Sequence, residues 1–141
     1  MIRVVLDANV LISALISGNG IPGRILDDWL QGKFQLCVSP QIMKEMRRVL
    51  LYPRIAERLK EGEAELLKKH IGSLAEWVIE DDQLKILTRD PSDNIYLSCA
   101  VKAKCNFLVT GNLEHFEEAG SEFMGVRIVT PRQFFDIFHT E

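Results

Sequence analysis

The chain has 141 residues, 47% of them hydrophobic and 26% charged, with a formal net charge of −3, which suits one ordinary globular domain over 1–141 and not a basic protein that coats nucleic acid. Its apolar runs fall short of the roughly 20 residues a membrane helix needs and no cleavable leader opens it, so a cytoplasmic protein with no membrane partner is expected. Three cysteines, Cys37, Cys99 and Cys105, without a Cys-x-x-Cys pair argue against a disulfide framework and a thiolate zinc site and are expected to pack.

The first element is the apolar run from Ile2 to Leu6, which ends abruptly on Asp7. A strand without polar alternation suits the middle of a parallel sheet, and ligands of such sheets bind at the carboxyl ends of the strands. Val10 to Ile16 predicts a helix start, the Ser17-Gly18-Asn19-Gly20 turn follows, and a second helix begins at Pro22 and runs to Gly32. Phe34 to Val38 reads as a strand. Ser39-Pro40 then opens a helix whose Ile42, Met43, Met46, Val49 and Leu50 form a core-facing stripe, with Glu45 just outside its edge. Tyr52-Pro53 breaks that helix and a short basic turn follows. After Gly62 a longer helix carries Leu67, Ile71, Leu74, Ala75 and Val78, and the two pieces form a helical excursion off the sheet.

Leu84 to Leu87 is expected as a short strand, and Asp90 caps a helix that runs to about Lys104. Asn106 to Thr110 and Val126 to Val129 are further strands, and Thr130-Pro131 caps a closing helix with Phe134, Phe135, Ile137 and Phe138. Strands alternating with helices imply a three-layer α/β/α sandwich around a mainly parallel central sheet.

Charge is unevenly spread. From Lys44 to Lys60 the balance is +4 and from Glu76 to Asp93 it is −4. A basic flank with Arg47, Arg48 and Arg54 beside an acidic pocket suits an enzyme that holds a polyanion and carries cations to cut it, while two solvated faces of opposite sign are the plain alternative. Three acids occupy comparable places: Asp7 at a strand tip, Glu45 at a stripe edge, Asp93 in a first helical turn. Each has an innocent explanation, as a helix cap, a surface acid or a complement to the helix dipole. Together they would repel one another unless a hard divalent cation neutralised them, and all-oxygen ligands suit Mg²⁺ or Mn²⁺. Metal-activated water attacking a phosphodiester is the chemistry that follows.

In Val5-Leu6-Asp7-Ala8-Asn9-Val10-Leu11, Ser39-Pro40 with Glu45, Asp90-Pro91-Ser92-Asp93-Asn94 and Leu108-Val109-Thr110-Gly111-Asn112, the chain resembles PIN-domain proteins of the small prokaryotic type, described as toxin components of toxin-antitoxin pairs. The resemblance implies a Rossmann-like fold and a Mg²⁺- or Mn²⁺-dependent ribonuclease acting on RNA. It makes Asp7, Glu45 and Asp93 the catalytic metal ligands, with Asn9, Ser39 and Thr110 supporting them. It also implies a cognate antitoxin partner and, with the apolar closing helix, a homodimer. One position departs: the family commonly has a fourth acid where this chain has Asn112, an amide that can bind a cation but adds no charge. One-metal catalysis, weak turnover and loss of turnover all stay open, and Asp90 and Glu114 are near enough in sequence to compensate.

Two other readings follow. A PIN fold that binds RNA or protein without cutting draws on Asn112. A haloacid dehalogenase-type phosphohydrolase also starts from a strand-tip aspartate but needs a second acid two residues on, where Asn9 stands. His70, His115 and His139 lack ligand spacing and read as surface or packed histidines. Trp29, Trp77 and the closing phenylalanines read as core or interface, and Ser13, Ser17 and Ser98 lack a nucleophile-elbow context.

Overall fold

A computed structural model describes residues 1–79 and 91–140 of the chain. β1 (Arg3–Leu6) buries Val4, Val5 and Leu6 because it lies between two other parallel strands. α1 (Ala8–Ile16) and α2 (Ile21–Leu30) follow, then β2 (Gln35–Val38). The turn after α1 lies directly on α2: a Cβ on Gly23 would stand 2.2 Å from the Gly18 carbonyl oxygen, so only glycine fits. α3 (Pro40–Leu50) is capped by the Ser39 hydroxyl, which accepts from the Ile42 N–H at 3.2 Å. α4 (Pro53–Ala56) is the expected basic turn, and α5 (Glu63–Leu74) starts from Gly62 in the left-handed region.

α5 ends earlier than its apolar pattern implies. Ala75 is extended, with φ −79° and ψ 153°, and Glu76 and Trp77 form β3 (Glu76–Trp77), parallel to β2. The Val78 N–H donates to the Val38 carbonyl at 2.9 Å. A helix continuing to Val78 would leave the outer backbone groups of β2 without these partners, which outweighs side-chain periodicity here. Trp77 is consequently exposed instead of core. The expected strand Leu84 to Leu87 and the cap Asp90 lie outside the described residues.

α6 (Pro91–Lys102), β4 (Phe107–Val109), a 3₁₀ helix over Leu113–Ala119, β5 (Glu122–Phe123), β6 (Val126–Val129) and α7 (Pro131–Phe138) complete the described chain. The sheet order is β3-β2-β1-β4-β6-β5, parallel throughout except for β5 against β6. The expected mainly parallel sandwich is therefore observed, with an antiparallel edge in addition. Met124 and Gly125, with φ 49° and 87°, make the two-residue turn between β5 and β6. Positive φ at both positions matches the right-handed twist of a hairpin, and a methionine there gives none of the usual Asn-Gly signal.

Val4 is in register with Leu36 on one side and Phe107 on the other, so these three share a face. α7 covers that face through Phe134, whose ring lies 5.3 Å from that of Phe107. Cys37, one residue on from Leu36, points to the opposite face, where Cys99 of α6 acts on the Cys105 thiol that Cys37 contacts. α6 packs on β1, β2 and β4, and the helices thus cover both faces. All three cysteines are free and buried, as their lack of pairing motifs implies. Among the described residues no helix is long and apolar enough to cross a membrane.

Candidate active site

At one edge of a parallel sheet the residue after each strand decides what is offered to a ligand. Here those residues are Asp7 after β1, Ser39 after β2, Thr110 after β4 and Thr130 after β6. The chain leaves β1 for β2 on one side and returns to β4 on the other, so strand order reverses between β1 and β4. Asp7 and Thr110 face each other across that point. The Thr110 hydroxyl donates to Asp7 Oδ2 at 2.9 Å, and the Asn9 N–H donates to Asp7 Oδ1 at 2.9 Å. Asp7 does cap α1, as its plain reading expects, but capping uses only one oxygen.

Asp7 is 6% exposed. Burial raises its carboxyl above the ordinary value, the Glu45 charge adds to that, and the two hydrogen bonds and His115 oppose it. Beneath it sits the buried Tyr96 of α6, whose hydroxyl accepts from the Ala8 N–H at 3.4 Å. Burial, with Asp7, Glu45 and Asp93 all acting on it, pushes the Tyr96 phenol up and keeps it protonated. The three predicted acids thus act on a common point. Glu45, with a side chain 21% exposed, is paired with Arg48, and Asp93 lies 3.4 Å from His115 Nδ1. Among the described residues, however, no three His, Cys, Asp or Glu side chains close into a ready-made metal-binding group. The carboxylates share a field without sharing a coordination sphere. Their donors are oxygens of the kind a hard divalent cation takes, and a buried carboxyl held up by a neighbouring negative charge is what such a cation relieves.

The supporting residues divide. Thr110 touches Asp7 directly and accepts from the Asn112 N–H at 3.1 Å, so Asn112 reaches the site through its main chain. Asn9 also contributes its N–H, and as a residue it is exposed. The Ser39 hydroxyl caps α3. Glu114 is exposed. Arg47, Arg48 and Arg54 are exposed at the end of α3 and on α4. His115 is exposed, as expected of a surface histidine, and it also stands beside Asp93, brought there by the 3₁₀ helix that no sequence pattern marked. No motif in the sequence singles out Tyr96. A cavity of about 510 Å³ between β6 and α7, lined by Glu122, Arg127, Gln133 and Asp136 among others, contains none of the three carboxylates.

A family model described as the PIN domain matches residues 3–114, a span that contains Asp7, Glu45, Asp93, Thr110 and Asn112. The chain belongs to the PIN-domain family. PIN domains are generally nucleases, which sets the dehalogenase-type alternative aside. The uncharacterized protein MJ1680 of Methanocaldococcus jannaschii is 30% identical over 143 residues, covering 97% of this PIN-domain chain and 92% of its own length. Among solved structures, VapBC2 from Rickettsia felis, bound to a DNA fragment from its promoter, aligns with a TM-score of 0.56 at 16% identity. The alignment covers 92% of this chain and 98% of that one, and establishes likeness of fold.

Proposed function

We propose that this chain, as a single domain, is a Mg²⁺- or Mn²⁺-dependent endoribonuclease and the toxin half of a toxin-antitoxin pair acting in the cytoplasm. The observation that carries the reading is Asp7: a buried carboxylate at the strand-order switch, oriented by Thr110 and Asn9, with Glu45 and Asp93 acting on the same point. Asp7, Glu45 and Asp93, with the Asn112 amide, would hold the cation, which when bound supplies an activated water for attack on phosphorus. Thr110 and the Asn9 N–H fix the Asp7 carboxylate, and Tyr96 keeps its proton beside it. Arg47, Arg48 and Arg54 would hold the RNA backbone, a sequence-independent attraction that weakens steeply with salt. The VapBC2 likeness supports a protein antitoxin as partner, and the apolar faces of α5 and α7 support a second copy.

The test is Mn²⁺ calorimetry on the wild type and Asp7→Asn, followed by incubation of both with labelled RNA. Binding and cleavage that vanish together in the variant establish the centre, and no Mn²⁺ binding in the wild type sinks it. One observation favours a second reading, a module that binds RNA without cutting: Asn112 supplies no charge where the family commonly has an acid. That protein would bind Mn²⁺ and retard RNA in a gel, and leave it intact.

A further inference from the structure

Glu45 and Arg48 stand one turn apart on α3, and the Arg48 guanidinium forks across the Glu45 carboxylate, Nη2 to Oε1 at 2.5 Å and Nε to Oε2 at 3.2 Å. The same guanidinium donates to the Tyr52 hydroxyl and lies over the Tyr52 ring, its Cζ 5.4 Å from the centroid. The pair is asymmetric: the Arg48 side chain is 57% exposed and that of Glu45 only 21%. Arg48 faces solvent, where a polyanion would arrive, while the less exposed Glu45 carboxylate is near enough to Asp7 and Tyr96 for its charge to act on both.

As the fork stands, both Glu45 oxygens are engaged. A carboxylate engaged by arginine on both oxygens offers less to a cation, and the positive charge beside it repels one. A phosphodiester also accepts a guanidinium fork and competes well for an ion pair this exposed. We infer that Arg48 is a positioning residue coupling RNA to the cation: it holds Glu45 in the free protein, and a backbone phosphate draws it away and releases Glu45 to the metal. The inference rests on the nuclease reading. It makes RNA and divalent ion each raise the other's affinity by one common factor, as linkage requires. It also separates Arg48 from Arg47 and Arg54. An arginine that only contacted phosphate could be removed without altering cation affinity in the RNA-free protein, whereas removing Arg48 should increase it.

The experiment is Mn²⁺ calorimetry on the full chain, wild type, Arg48→Ala, Glu45→Gln and Asp7→Asn, with and without a short 2′-O-methyl oligoribonucleotide as the probe. In the wild type the oligonucleotide tightens Mn²⁺ binding about fivefold or more. Arg48→Ala binds Mn²⁺ tighter than the wild type without the oligonucleotide, by a similar factor, and the oligonucleotide then adds almost nothing. Arg47→Ala weakens the oligonucleotide and leaves Mn²⁺ affinity alone. Unchanged or weakened Mn²⁺ binding in Arg48→Ala overturns the inference. If Glu45→Gln and Asp7→Asn weaken Mn²⁺ binding while Arg48→Ala does not change it, the coupling alone fails. If neither acid variant alters Mn²⁺ binding, the nuclease centre fails and the coupling with it.

Discussion

At the amino end of the sheet Phe34, Phe107, Phe134 and Phe138 interlock, with ring centroids 5.3 to 5.7 Å apart and edge-to-face contacts around a stacked pair. At the carboxyl end the same strands terminate on Asp7, Ser39 and Thr110, all buried and all polar. Every ring at the first end gains by leaving water. At the second end a carboxyl is held above its ordinary value by burial and by a like charge. One end supplies stability, and the other spends part of it on a poised charge, as sites that bind cations or react do. The comparison holds only if the two ends respond independently to substitution.

The largest expected effect lies at the aromatic end. Phe134→Ala should cost about 3–5 kcal/mol in urea unfolding, because the ring is fully buried and touches three others. Mn²⁺ affinity of the folded fraction should be unchanged, and a loss in step with stability would show that the ends are coupled. Next, Thr110→Val removes the donor to Asp7 Oδ2 and the acceptor for the Asn112 N–H. Calorimetry should show Mn²⁺ binding weakened about 10- to 100-fold, with a stability loss near 1 kcal/mol.

A smaller effect tests the sign of the charge term. The fold favours protonated Asp7, so with divalent ions chelated its favourable contribution is full below the ordinary 3.8 and is lost as pH rises through the higher folded value. Asp7→Asn should therefore melt above the wild type at neutral pH, and the gap should close on acidification. Adding Mn²⁺ should raise the melting temperature of the wild type alone. A variant that melts lower at neutral pH would mean that the hydrogen bonds from Asn9 and Thr110 outweigh desolvation. Smallest is Glu76→Gln, which breaks a partly exposed pair with Arg3 and should cost under about 1 kcal/mol in the same melts.

The carboxyl end was legible where one residue does two jobs in sequence order. Asp7 ends an apolar strand and caps the next helix, and Ser39-Pro40 and Thr130-Pro131 mark helix starts that the structure retains, the latter as a full capping box with Gln133. What could not be read is what tertiary contact decides. His115 meets Asp93 only because the 3₁₀ helix after β4 carries it to within 3.4 Å of that carboxylate, and no local pattern encodes that meeting. Glu76 and Trp77 continue a helical pattern yet become a strand, because the free edge of β2 is the stronger local demand. Arg48 and Glu45 were legible in spacing, since residues three apart on a helix are neighbours. Each was read alone, as a phosphate contact and a metal ligand, and only the structure joins them.

Among the described residues both margins of the sheet are strands of two residues, β3 and β5. A margin that short offers a passing chain almost no ladder to extend, so a sheet whose interior strands are nearly all apolar is shielded from open-ended, fibre-like stacking. Among the described residues, growth by strand addition is blunted at each margin of the sheet, and the broad surfaces that remain are helical.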